Sequence, residues 1–133
     1  MCIRDRQLSL PRRRTPELLL AAGRALAPLR RQGVLILGSG GLVHNLRRLD
    51  WAEATAPAPW AAAFEAWTRE HLLAGNATAV ADWKQAPGAA EAVPTPEHLD
   101  PLFVALGAAG GPGRVLFDGW QLGSLSLASY LFS

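Results

Sequence analysis

Gly33-Val34-Leu35-Ile36-Leu37-Gly38-Ser39-Gly40-Gly41-Leu42-Val43-His44-Asn45 is the stretch on which the fold turns. Its aliphatic residues at 34–37 stand without a polar interruption. An unbroken run of that length suits a strand covered on both faces, as in parallel sheets. The run empties into Gly38-Ser39-Gly40-Gly41, where backbone can approach another group because no Cβ intervenes. A helical pattern precedes it: Thr15 caps, Pro16 fills the first position and Glu17 sits in the first turn. Leu18, Ala22, Leu26 and Leu29 then form an apolar stripe, Arg30 and Arg31 complement the dipole, and Gly33 ends the helix. Helix, buried strand and glycine-rich turn together predict an α/β sheet with its site at the strand's carboxyl end.

Working outward, residues 7–10 alternate as a short strand before Pro11, and 50–59 is an Ala/Pro-rich loop. Residues 60–73 carry a helical pattern with Trp60, Phe64, Trp67 and His71 near one face, ended by Gly75-Asn76. A further helical turn fits 79–84, and 85–93 is a connector without a clear period. Thr95-Pro96-Glu97 signals another helix start, with Leu99, Leu102, Phe103 and Leu106 as its buried stripe and the glycines of 110–113 as its stop. Residues 114–118 and 124–132 read as two strands.

The chain has 133 residues, 50% hydrophobic and 18% charged, which is the composition of one globular domain. No apolar run approaches the ~20 residues of a membrane span, and no secretory h-region follows the basic start. The expected location is the cytoplasm. A single cysteine, Cys2, excludes an internal disulfide and a Cys-rich zinc site, so a metal here would need histidine, carboxylate or water. The pI of 9.3 arises at one end: Arg4, Arg6, Arg12, Arg13 and Arg14 stand against Asp5 alone. The remainder is slightly acidic and contains one lysine, Lys84, which argues against a nucleic-acid face. Residues 1–6 share no pattern with the rest of the chain and read as a spurious leader.

Three histidines are available for chemistry. His44, three residues past the last glycine, falls where α/β sites form; the alternative is a hydrogen-bonded structural histidine beyond a tight turn. His98 lies at the third position of the helix expected from Thr95, where the dipole disfavours imidazolium and keeps the ring in the form that ligates metal or accepts a proton. It would serve equally as a capping residue. His71, beside Arg69 and Glu70, reads as a solvated surface histidine. A dinucleotide fingerprint fails at its third glycine, where Val43 stands, and no acidic residue follows about twenty positions on. Ser39 lies directly between two glycines and does not match a Gly-x-Ser-x-Gly nucleophile elbow. Trp60 and Trp67 have core spacing, while Trp51, Trp83 and Trp120 fall near loops.

Four segments in order carry a resemblance. They are 33–47 with its glycine turn and His44, the helix at 60–67, Pro94-Thr95-Pro96-Glu97-His98-Leu99-Asp100-Pro101-Leu102, and Gly123-Ser124-Leu125-Ser126-Leu127-Ala128-Ser129-Tyr130. Together they resemble the class III extradiol ring-cleavage dioxygenases, in the 4,5-DOPA dioxygenase-like branch. The resemblance implies that 7–133 is the C-terminal half of a catalytic domain. That domain is α/β, with a central mixed, largely parallel sheet flanked by helices and truncated here on its N-terminal side. It further implies a nonhaem iron(II) centre, or zinc(II), a catecholic substrate and O₂. His44 and His98 would be the catalytic histidines at the metal, His44 either as ligand or as acid/base. Asn45 would orient His44, contact substrate or simply serve the turn.

Iron(II) with a few N/O ligands and open positions admits catecholate and O₂ together, and a neutral imidazole suits the proton that catechol must lose. Members of the family are about twice this long and take further metal histidines from the other half, whereas no histidine precedes His44 here. The isolated chain is therefore expected to be inactive, with a bare apolar face and a free strand edge. Two other classes stand beside this reading: a metal-free binding or structural subunit of the same fold, and a nucleotide-binding α/β module using the turn at 38–41.

Overall fold

The computed structural model describes residues 5–52 and 56–132. It holds five α-helices and four short strands: α1 Pro16–Arg30, α2 Pro59–Leu73, α3 Ala77–Ala81, α4 Ala89–Ala92, α5 Asp100–Ala109, β1 Gly113–Phe117, β2 Trp120–Gln121, β3 Leu125–Ser126 and β4 Ser129–Phe132. Single 3₁₀ turns occupy Leu46–Arg48, Trp83–Gln85 and Pro96–His98. None of the described helices is long and apolar enough to cross a membrane.

α1 starts where its capping signals place it, with the Leu18 N–H donating to the Thr15 hydroxyl at 3.3 Å. Its buried face differs from the predicted stripe. Leu19, Leu20 and Gly23 are inside, whereas Leu18 is half exposed. The cause is a close crossing with α5. A Cβ at Gly23 would stand 2.2 Å from the Val104 carbonyl oxygen, and one at Gly107 would stand 2.2 Å from that of Leu20. Two helices meeting on glycine faces bring backbone against backbone, and this contact sets which leucines point inward.

Arg30 closes the far end of the pair. Its guanidinium donates to the carbonyls of Ala108 and Ala109 at 3.1 Å each, and to that of Phe132 at 3.4 Å. The last carbonyls of a helix lack intrahelical donors, so a cation in this position meets both the hydrogen-bond and the dipole requirement. At the other end, Arg14 donates to the buried carboxylate of Asp100. One member of the Arg12-Arg13-Arg14 run is thus a structural cation.

α2 buries Ala61, Phe64, Glu65, Thr68 and Leu72. Trp60, Trp67 and His71, expected beside Phe64, are only half-buried. Glu65 is covered because two partners hold it: Arg69 donates through Nε at 3.0 Å and Nη2 at 2.8 Å, and the Tyr130 hydroxyl donates at 3.0 Å. Arg69 also reaches Asp118 at 2.8 Å, which ties the end of β1 to α2.

The sheet is where the structure departs from the expectation of a central, largely parallel one. The described strands form two antiparallel pairs, β1 with β4 and β2 with β3. Residues 34–37, predicted as a strand buried on both faces, pair with none of the described residues; Leu35 and Leu37 are 77% and 81% exposed. A strand forms only against a partner, and the described residues present none here. Residues 7–10 are likewise unpaired, and the strand expected over 124–132 is divided. There the Ser126 hydroxyl accepts from the Ala128 N–H at 3.3 Å and the Leu127 N–H turns to Gly119, so β3 ends before β4 begins.

Candidate active site

Pro101 decides where His98 lies. A helix begun at Pro96 would need the residue-101 N–H for an i to i−4 bond, and proline has none. The chain therefore makes one 3₁₀ turn, Pro96–His98, and starts α5 afresh at Asp100. His98 stands just ahead of α5 rather than within its first turn, and it is exposed. Thr95 does not cap; its hydroxyl donates to Glu97 at 2.6 Å.

The glycine turn runs against this 3₁₀ turn. The Gly41 N–H donates to the His98 carbonyl at 2.9 Å, and a Cβ on Gly40 would lie 2.0 Å from the same oxygen. Gly38 likewise faces the Pro101 carbonyl, 2.6 Å from where its Cβ would be. Each of these two glycines turns its open side to the chain's own carbonyl oxygens, a surface that repels phosphate. That geometry disfavours the nucleotide reading.

Two turns fastened in this way bring two rings together. The imidazole centroids of His44 and His98 are 5.0 Å apart, with planes inclined at 56°. The His44 ring is half-buried and held at both nitrogens, Nδ1 3.1 Å from the Gly41 carbonyl oxygen and Nε2 2.9 Å from that of Thr95. A carbonyl only accepts, so a neutral ring donates to one of the two and leaves its lone-pair nitrogen facing the other. The segment is further anchored by the His44 N–H on the Ala92 carbonyl at 3.1 Å.

Asn45 is buried, and its amide is engaged at both ends. Nδ2 donates to the Glu91 carbonyl at 2.6 Å, and Oδ1 accepts from the Arg47 N–H at 3.1 Å, capping the 3₁₀ turn at Leu46–Arg48. This is the turn role among those open to it. Beyond it, the Ser124 hydroxyl donates to the Arg48 carbonyl at 3.2 Å, and Asp50 N–H donates to the Leu122 carbonyl at 2.9 Å. The β2–β3 hairpin thereby holds the chain leaving His44. Arg48 lies over the Trp60 ring at 5.5 Å, and His71 stays apart on α2, edge-on to Trp67 at 4.4 Å.

Glu97 is a group to which the sequence pattern assigns no role at the site. The Thr95 hydroxyl holds its carboxyl below the usual carboxylate range, followed by its own backbone N–H, with His98 and His44 adding a smaller attraction. Its adjacency to His98 is the signal that could have found it. Even so, the described residues contain no group of three or more His, Cys, Asp or Glu side chains placed to hold a metal. A mononuclear centre with open positions takes about three protein ligands. Two imidazoles, one of them occupied by carbonyls at both nitrogens, do not fit such a centre by themselves.

Beside the pair runs a groove of about 720 Å³, bounded by residues 34–42, by His98 and Leu102 at the start of α5, and by residues 128–132.

Comparison with known proteins matches residues 11–133 to the family described as the catalytic LigB subunit of aromatic ring-opening dioxygenase. A Portulaca grandiflora protein named 4,5-DOPA dioxygenase extradiol is 43% identical over 116 residues, covering 84% of this chain and 42% of that protein. An Escherichia coli K12 protein of the same name is 34% identical over 128 residues, covering 92% and 47%. The crystal structure of the uncharacterized protein JW3007 from Escherichia coli K12 superposes with a TM-score of 0.80 at 34% identity, over 88% of this chain and 50% of that one. The chain thus spans about half the length of the relatives it matches.

Proposed function

Since the chain belongs to the family of catalytic LigB subunits of aromatic ring-opening dioxygenases, we propose that it carries part of an extradiol site that opens a catecholic ring with O₂. The observation supporting this is the approach of His44 and His98 to 5.0 Å across two hydrogen-bonded turns. In this reading an iron(II) or zinc(II) ion is held by His98 jointly with ligands from outside the described residues, with His44 either a further ligand or the acid/base beside it. The residues present are too few to hold that ion, so no step of the chemistry is assigned to it.

The chain's own contribution is to place and move protons. As acid/base rather than ligand, His44 in its neutral form has one nitrogen without a hydrogen, and release of that nitrogen from its carbonyl neighbour makes it an acceptor for a catechol hydroxyl proton. Gly41 and Thr95 keep the ring oriented until then. His98 is exposed and lines the groove, where a substrate can reach it.

The test joins this chain to the part of the Portulaca grandiflora relative that lies outside the match, loads the product with iron(II) without oxygen, and admits O₂ with a panel of catechols. A coloured semialdehyde is expected, with His44→Ala and His98→Ala each lowering its rate by about 100-fold or more. The chain alone is expected to give none. Unchanged turnover in both variants would sink the assignment. A second reading, a subunit of this fold without chemistry, is favoured by the engagement of both His44 nitrogens and predicts no product in any format.

A further inference from the structure

Asp100 is a buried carboxylate to which the chemistry above gives no part. It stands at the first position of α5, just past His98, and Arg14 donates to it through Nε across 86 positions of chain. The pair is largely shielded from water, the two side chains being 22% and 5% exposed. Arg14 is held in turn, because its Nη1 donates to the Pro11 carbonyl at 3.1 Å. The guanidinium thus joins the chain ahead of α1 to the start of α5. A helix N-terminus offers a carboxylate only about half an elementary charge of compensation. Without its cation, the Asp100 carboxylate is driven toward water, and the backbone that carries it is drawn the same way.

That backbone is the seat of the site. The carbonyls of His98 and Pro101, which flank this stretch, are those against which the glycine turn rests. The Gly41 N–H bonds to the first at 2.9 Å, and Cβ atoms on Gly40 and Gly38 would lie 2.0 Å and 2.6 Å from the first and second. Residues 98–101 therefore carry one imidazole themselves and support the turn that leads to the other, whose centroid is 5.0 Å away. Leu99 anchors the stretch by sinking into the core. One apolar anchor leaves a turn free to pivot about it, and the ion pair supplies the second fixed point. We propose that Arg14 is a positioning residue: through Asp100 it fixes the rotation of backbone 98–101, and with it the approach of the His98 and His44 rings. This deepens the reading of His44 and His98 as site residues, on which it rests, by naming what holds them in register. Arginine suits the task because its Nε and Nη1 serve two partners at once, which the point charge of a lysine does not.

The experiment uses the 133-residue chain and reads geometry, not turnover. Proton contacts between the two imidazoles are measured by NMR, beside the urea midpoint, in Arg14→Ala, Arg14→Lys, Asp100→Ala and Arg30→Ala. The last is the control, since Arg30 secures the other end of α1 on α5 and its loss destabilises without touching the clamp. Such contacts fall with the sixth power of distance, so a parting of about 1 Å, the slack that undoes a site, weakens them about threefold at this separation. Arg14→Ala and Asp100→Ala are expected to show that loss or more, Arg14→Lys to fall between alanine and the parent, and Arg30→Ala to keep the parent's contacts in its folded fraction. Asp100→Ala leaves no buried charge behind, so it decides the question should Arg14→Ala not fold. Three results overturn the proposal: full contacts in Arg14→Ala or Asp100→Ala, an equal loss in Arg30→Ala, or no recovery in Arg14→Lys. Ring opening in the joined protein that survives both His44→Ala and His98→Ala refutes the catalytic reading and leaves the clamp standing.

Discussion

Replacing Gly40 by alanine places a methyl group 2.0 Å from the His98 carbonyl oxygen, where real Cβ atoms essentially never come within 3.0 Å. The obstacle is backbone on both sides, so no side chain can rotate away. The glycine turn must retreat from the 3₁₀ turn by about 1 Å, typical of an overpacked contact costing about 1–3 kcal/mol. The same retreat stretches the 2.9 Å bond from the Gly41 N–H to that carbonyl beyond bonding distance, a loss of about 0.5–1.5 kcal/mol. Alanine restricts the unfolded chain and returns about 0.4–1 kcal/mol. The balance is a destabilisation of about 0.5–4 kcal/mol, centred near 2. The His44 and His98 rings should also part, because each is carried by one of the two turns. Urea unfolding followed by tryptophan fluorescence measures the first effect, and proton contacts between the two imidazoles by NMR measure the second. A variant that unfolds at the parent's urea concentration and keeps those contacts would refute this account of the turn.

Gly107→Ala should destabilise the chain by about 1–3 kcal/mol, although alanine is the better helix former by about 1 kcal/mol, because its Cβ meets the Leu20 carbonyl. A higher unfolding midpoint would mean that α1 and α5 do not cross so closely. Arg30→Ala removes the donors to three carbonyls and should cost about 1–3 kcal/mol in chemical denaturation, with Arg30→Lys recovering only part. Equal stability of the three proteins would contradict that role. Tyr130 is the only tyrosine, so its titration can be followed cleanly by ultraviolet difference spectroscopy. Burial first, then the Glu65 carboxylate, raises its phenol above the ordinary value of about 10. The folded state thus holds this proton more tightly than the unfolded one. The associated stability is complete below pH ~10 and falls away as the pH rises through the higher folded value. Ionisation at the same pH in native and urea-unfolded protein would refute the contact.

Local signals in the sequence located what local physics controls. Thr15 and Pro16 mark the start of α1 and the glycines of 38–41 mark a close approach, whereas an approach of His44 to His98 is implied by the family resemblance and by no local signal. Three features escaped because their cause is distant or ambiguous in one dimension. Leu18, Leu19 and Leu20 offer successive choices of buried face, and only the Gly23–Gly107 crossing selects among them. Pro96 and Pro101 both suit a helix start; the earlier carries the stronger capping signal, although the later forbids a continuous helix. Aliphatic residues at 34–37 signal a covered strand, but coverage belongs to neighbours that no local pattern supplies. The Glu65, Arg69, Asp118 and Tyr130 network left only one trace in sequence, the i, i+4 spacing of Glu65 and Arg69.

Arg30 has a consequence for the order in which the molecule becomes itself. Its side chain ends α1, yet the carbonyls it grips lie 78, 79 and 102 positions further on. At 5–20 residues per second a ribosome needs roughly 4–16 s to deliver the nearest of them. Throughout that interval α1 has neither its clasp nor the glycine face of α5, and a 15-residue helix is marginal alone in water. α1 is therefore made well before it is secured, and its hydrogen exchange should slow in the same kinetic phase as that of β4.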